Sequence, residues 1–169
     1  MSKTNFVQYG DNGFWAYDVA LGVFLKYLID VAETSPNAGS AWLSKAVSWW
    51  RVVASVWGYG LSLRKIRTAT QRQLFIAFAE EACVRLTMRE SIPGAEMLGW
   101  NVLDGDGIHP RGAKEVQTAP VIELGRAVIA LMAGECPSHH RARPGVMASR
   151  RVAPQLRCVV TGATDDEGR

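Results

Sequence analysis

Few residues in this sequence could do chemistry, and their spacing argues against most of it. Cys136, His139 and His140 fall close together. A structural zinc site takes four Cys or His ligands in paired spacings, but no second pair follows, and Cys158 stands far along the chain. No metal site is expected. Asp104-Gly105-Asp106-Gly107 opens like a calcium loop, and counting from Asp104 puts Glu115 where such a loop has its closing carboxylate. Ile108 and His109 then occupy the places of an oxygen ligand and the central glycine, so a polar turn is the better expectation. Nucleophilic catalysis lacks a Gly-x-Ser-x-Gly elbow. His109 has no nucleophile that spacing assigns to it, and Cys83 lies on an apolar helix flank, where a thiol packs as a small hydrophobe. Gly58-x-Gly60 follows a helix and lacks a third glycine, so it is no dinucleotide fingerprint. Neither a catalytic residue nor a cofactor is expected; the remaining enzyme reading pairs His109 with Asp104 or Asp106.

Charge is the more informative pattern. Ser40 to Arg72 carries Lys45, Arg51, Arg64, Lys65, Arg67 and Arg72 and no acid, whereas Gln73 to Thr118 carries seven acids against four bases. Such segregation suits partner recognition, because complementary fields steer association and set specificity; the plainer alternative is a solvated surface with local pairing. Glu90, Glu96, Asp104, Asp106 and Glu115 share a Gly-rich stretch. Loops on a rigid scaffold commonly carry binding residues, so these five are the candidate partner-binding residues. The basic segment 45–72, with Trp57 and Tyr59 in it, could instead stack on and hold nucleic acid. The net charge of +3 is mild for that role, and Trp57 continues a helix that reads as buried.

Four main helices have to position these groups. The first starts at Asp18, a good N-cap, and runs through a wide apolar surround with Lys26, Asp30 and Glu33 along one face; Ser35-Pro36-Asn37-Ala38-Gly39 stops it. Ser40 can cap the second, Ala41 to about Trp57. Its polar stripe is only Ser44, Ser48, Arg51 and Ser55, which reads as a central core helix. The third spans roughly Thr70 to Glu90, with Leu74, Phe75, Phe78, Ala82 and Leu86 at helical spacing. Ala95 to Ala119 is Gly-rich and irregular, apart from a short apolar piece at Met97–Leu103. The fourth helix begins around Thr118 and Pro120 and runs through Met132, before Gly134 and Pro137.

These elements predict a mainly α, single helical domain over 1–137 with a Gly-rich irregular insert before the last helix. The 169 residues suit one domain with a tail. Cys136 to Arg169 has six arginines, three prolines, no aromatic residue and no sustained period. A segment without an apolar face cannot offset its ordering entropy, so 138–169 reads as a disordered Arg-rich tail. Arg51 and Arg126 interrupt the longest apolar runs, leaving no membrane span. An odd count of three cysteines without tight spacing, and an opening stretch without an apolar run, point to a reducing, cytoplasmic setting.

Asn12-Gly13-Phe14-Trp15-Ala16-Tyr17-Asp18, running into Gly22-Val23-Phe24-Leu25-Lys26, resembles bacterial immunity proteins of polymorphic toxin and contact-dependent inhibition systems. Glu123-Leu124-Gly125 is similar in kind, and the resemblance spans about Asn5 to Pro137. It implies a non-catalytic protein that binds one cognate toxin domain, such as a nuclease, and blocks it.

Overall fold

The computed structural model describes residues 4–56 and 58–135 and the strand Cys158–Val160. The chain is mainly helical, but it opens on strands. β1 (Thr4–Tyr9) and β2 (Asn12–Tyr17) form an antiparallel hairpin in which Val7 faces Phe14 and Phe6 faces Trp15. Gly10, at φ 59°, takes the positive-φ position that a two-residue hairpin turn requires. Val7, Phe14 and Ala16 point into the core, while Phe6 and Trp15 pack on the other face with ring centroids 5.1 Å apart. β3 (Leu61–Ser62) adds parallel to β1, and with a fourth strand, β6 (Cys158–Val160), the sheet order is β3-β1-β2-β6.

The fourth strand corrects part of the expected tail. β6 (Cys158–Val160) pairs antiparallel with β2, Phe14 opposite Cys158 and Asn12 opposite Val160. A short apolar trio is enough to satisfy an open sheet edge through backbone bonds, without the longer periodicity a helix needs. The rest of 138–169 and the Cys136–His140 group lie outside the described residues, as does Trp57.

Helices α1 (Asp18–Glu33), α2 (Ala41–Ser55), α3 (Ala69–Thr87) and α5 (Thr118–Ala133) build the body. α1, not α2, is the central helix: it packs on α2, α3, α5 and the hairpin, whereas α2 packs chiefly on α1. Leu43, Ala46, Val47, Trp50, Val53 and Ala54 form the buried face of α2, while Ser44, Lys45 and Ser48 are exposed and Trp42 and Trp49 half-buried. Trp50 meets Phe75 of α3 edge-on, with centroids 5.6 Å apart. Gly125 lets α5 close on its neighbours; a Cβ there would overlap Cys83 Sγ and stand 2.9 Å from the Phe24 ring.

The start of α1 also departs from expectation. Tyr17 is the N-cap, and Asp18 is the first helical residue; its Oδ1 accepts from Val19 N at 2.8 Å. Thr68 and Gln71 close a capping box at α3. The stretch expected to be irregular, Ala95 to Ala119, holds most of the five-residue helix α4 (Gly94–Leu98) and all of β5 (Glu115–Gln117), and β5 pairs antiparallel with β4 (Ser91–Pro93) just before it.

Candidate functional site

The five acidic candidates are carried by the β4–α4–β5 unit and its flanks, and their backbones are tightly held. Glu90 precedes β4. Its carbonyl accepts from Thr118 N at 3.0 Å and from Thr118 Oγ1 at 3.0 Å, and the same hydroxyl reaches the Arg89 carbonyl at 2.5 Å. Thr118 is buried, so the start of α5 fixes the residue whose side chain is exposed. Glu115 lies on β5 opposite Pro93; its carboxylate accepts from Ser91 Oγ at 2.9 Å and Gln117 Nε2 at 3.0 Å.

Asp104 and Asp106 bracket a tight turn. Leu103 and Asp106 exchange backbone hydrogen bonds of 3.2 and 2.8 Å, and Asp104 (φ 50°) and Gly105 (φ 91°) take the two positive-φ positions. That is a type I′ turn, for which Asp-Gly is a favoured pair. Asn101 Oδ1 accepts from Gly105 N at 3.1 Å. The Asp-Gly-Asp sequence therefore makes a turn, and among the described residues no group of three His, Cys, Asp or Glu could hold a metal.

Glu96 is placed differently. Its carboxylate forms a two-pronged pair with Arg89, Nη1–Oε1 2.5 Å and Nη2–Oε2 2.6 Å. The Arg89 hydrogen bonds hold the Glu96 carboxyl below its ordinary value and push the guanidinium above its own. Its charge is committed within the fold. The structure thus groups Glu90, Glu96 and Glu115 around one small sheet and its helix, and puts Asp104 and Asp106 on a separate turn of the same segment.

Long-range contacts pin that segment. Arg51 of α2 donates from Nη1 to the Val102 carbonyl at 2.6 Å and from Nη2 to Glu33 at 2.6 Å. Ile108 N donates to the Met97 carbonyl at 2.9 Å, and Gly94 N to that of Lys114 at 2.8 Å. Arg111, at φ 52°, pairs with Asp18 at 2.6 Å, their side chains only 19% and 9% exposed. His109 lines a recess with Asn5, Asp18 and Arg111, not with Asp104 or Asp106. The recess measures about 10 Å³, no more than one water needs.

Two features escaped sequence reasoning. Leu98 is 48% exposed at the end of α4. Beside it in sequence, Trp100 meets Tyr27 edge-on at 6.3 Å with the Lys26 ammonium 5.6 Å from its ring centre. Trp, Tyr and Arg are the residue types that most often anchor protein interfaces. In the basic segment, Trp49 meets Tyr59 edge-on at 5.8 Å, with Lys65 Nζ 5.9 Å from the Trp49 ring. No signal local in sequence joins α2 to that loop. Among the described residues no helix is long and apolar enough to cross a membrane. Comparison with family models, curated proteins and solved structures finds no match for the chain.

Proposed function

We propose that the chain is a non-catalytic binding protein of the immunity type, acting in the cytoplasm by stoichiometric occlusion of a cognate toxin domain with a basic surface. A nuclease fits this description, since it must hold a phosphate backbone. The four-helix frame serves as scaffold, and Glu90, Asp104, Asp106 and Glu115 are the partner-binding groups. The observation that carries the reading is the rigid display of these carboxylates: a type I′ turn, a two-stranded sheet and the Thr118 clamp hold their backbones before any partner arrives. Preorganised groups lose less entropy on binding. Glu96 serves that display as the internal partner of Arg89.

The test uses the toxin domain encoded beside this chain. The wild-type protein is expected to bind it and protect cells producing it. Changing Asp104, Asp106 and Glu115 together to Ala should slow association at low salt and flatten its salt dependence. Unchanged affinity and association rate would remove this face from the interface, and absence of any binding would remove the reading.

A second reading rests on the Trp49–Tyr59–Lys65 cluster, with Arg64 and Arg67 nearby in sequence. The exposed Tyr59 ring, beside half-buried Trp49 and a cation, suits stacking on single-stranded nucleic acid. Arg51 does not contribute, being bound to Glu33 and Val102. Salt-sensitive binding of a random single-stranded oligonucleotide, lost in Tyr59→Ala and Lys65→Ala, would favour this reading over the first.

A further inference from the structure

A groove of about 620 Å³ runs between α3 and α5 on the outside of the molecule. Its two walls repeat one pattern. On α3, Ile76, Glu80 and Val84 follow at intervals of four; on α5, Ile122, Arg126 and Ala130 do the same. Each wall is thus apolar, charged, apolar, and the two central charges are opposite. Residues four apart share one helix face, so each row is continuous. Val84 is 51% exposed, and Ile76, Ile122 and Ile129 are only partly buried. Glu80 and Arg126 are exposed and enter no ion pair among the described residues. Cys83, on the groove floor, marks their level: it follows Glu80 by three residues on α3, and its Sγ reaches the carbonyl of Ile122, four residues before Arg126 on α5, so both charges stand within about one helical turn of it.

We propose that this groove is a homodimer interface, in which a two-fold axis running along it sets α3 of one copy against α5 of the other. That operation places Glu80 opposite Arg126 of the second copy and Arg126 opposite its Glu80. It also lays Ile76 and Val84 on the apolar positions flanking the facing Arg126. An isologous interface must be self-complementary, and this face is so in both charge and apolar spacing. An axis across the groove would instead oppose like charges, which disfavours it. The chain from Cys136 to Arg157, which leaves from the groove's end at Glu135, is a poor occupant by composition. It carries five arginines and few large apolar residues.

The experiment is sedimentation of the full chain over a concentration series, with and without charge reversal. Wild type should show a reversible monomer–dimer equilibrium. Glu80→Arg alone and Arg126→Glu alone should each raise the dimer dissociation constant about tenfold or more, since each creates two like-charge contacts. The double reversal, Glu80→Arg with Arg126→Glu, should recover most of the wild-type value. Val84→Arg, at a half-exposed position, should abolish the dimer with helical content unchanged. A monomer at every concentration would overturn the proposal and leave the groove to the chain's own later residues or to another protein. A dimer indifferent to both single reversals would overturn it as well.

Discussion

Replacing Gly125 by alanine sets two effects of known size against each other. On an isolated helix, alanine is better than glycine by about 1 kcal/mol, so propensity alone predicts a more stable protein. In the fold, the added Cβ would overlap Cys83 Sγ and stand 2.9 and 3.2 Å from two atoms of the Phe24 ring. Phe24 is fully buried on α1 and Cys83 nearly so on α3, and neither side chain has a flexible end to swing aside. Overpacking of this kind costs roughly 1–3 kcal/mol, enough to outweigh the propensity gain across most of that range. Gly125→Ala should therefore lower the urea midpoint of unfolding without changing the denaturant slope. Adding Cys83→Ala removes the closest clash, and the double variant should be more stable than the sum of the single effects by at least about 0.5 kcal/mol. A raised midpoint for Gly125→Ala, or additive effects in the cycle, would refute the claim that α5 is seated on α1 and α3 through this glycine.

Trp50→Ala should cost roughly 3–5 kcal/mol in chemical denaturation, the range for a buried aromatic, and half-buried Trp49→Ala clearly less, since α2 turns only one of these two rings inward. Thr118→Val should lose about 1–3 kcal/mol by taking the hydroxyl donor from the Arg89 carbonyl, whereas the Glu90 carbonyl keeps the backbone N–H of position 118, read from thermal unfolding. Because Arg89 holds the folded-state carboxyl of Glu96 below its ordinary value, that pair's stabilisation is full above the ordinary glutamate value and is lost as pH falls through the folded one. Glu96→Gln should thus narrow the acid-side loss of stability in urea titrations, and an identical pH profile would count against the pair.

The helices were legible because each satisfies a local rule. Apolar residues recur at three and four in α1, α3 and α5, and Gly134 supplies the left-handed C-cap of α5 at φ 84°. The second helix is more apolar in composition than it is buried. Trp42 and Trp49 are large and apolar but sit at the margin of the buried face, where indoles are commonly half-covered. The hairpin was missed for a related reason. An alternating strand shows one apolar face, but here the outer face also carries an aromatic pair, Phe6 and Trp15, so the period of two is masked.

The acidic segment shows a different limit. Its sequence suggested loose loops with charges to spare, and the type I′ turn at Asp104-Gly105 was readable from the dipeptide alone. What sequence could not reveal is which charges are already paired. Arg111 reaches Asp18 and Arg51 reaches Glu33, partners far apart along the chain, while Arg89 closes on Glu96 and Arg85 on Glu81. Setting these pairs aside sharpens the charge pattern. Between Gln73 and Thr118 the remaining acids are Glu80, Glu90, Asp104, Asp106 and Glu115, and Lys114 is the one remaining base there. Between Ser40 and Arg72 all the bases but Arg51 remain. Opposite charges close in space largely cancel at a distance, whereas unpaired ones set the field a partner meets within a Debye length. Arg111–Asp18 therefore does two jobs: it fastens the β4–α4–β5 segment to α1, and, with Arg89–Glu96, it neutralises the cations there that would repel the basic partner of the proposed function.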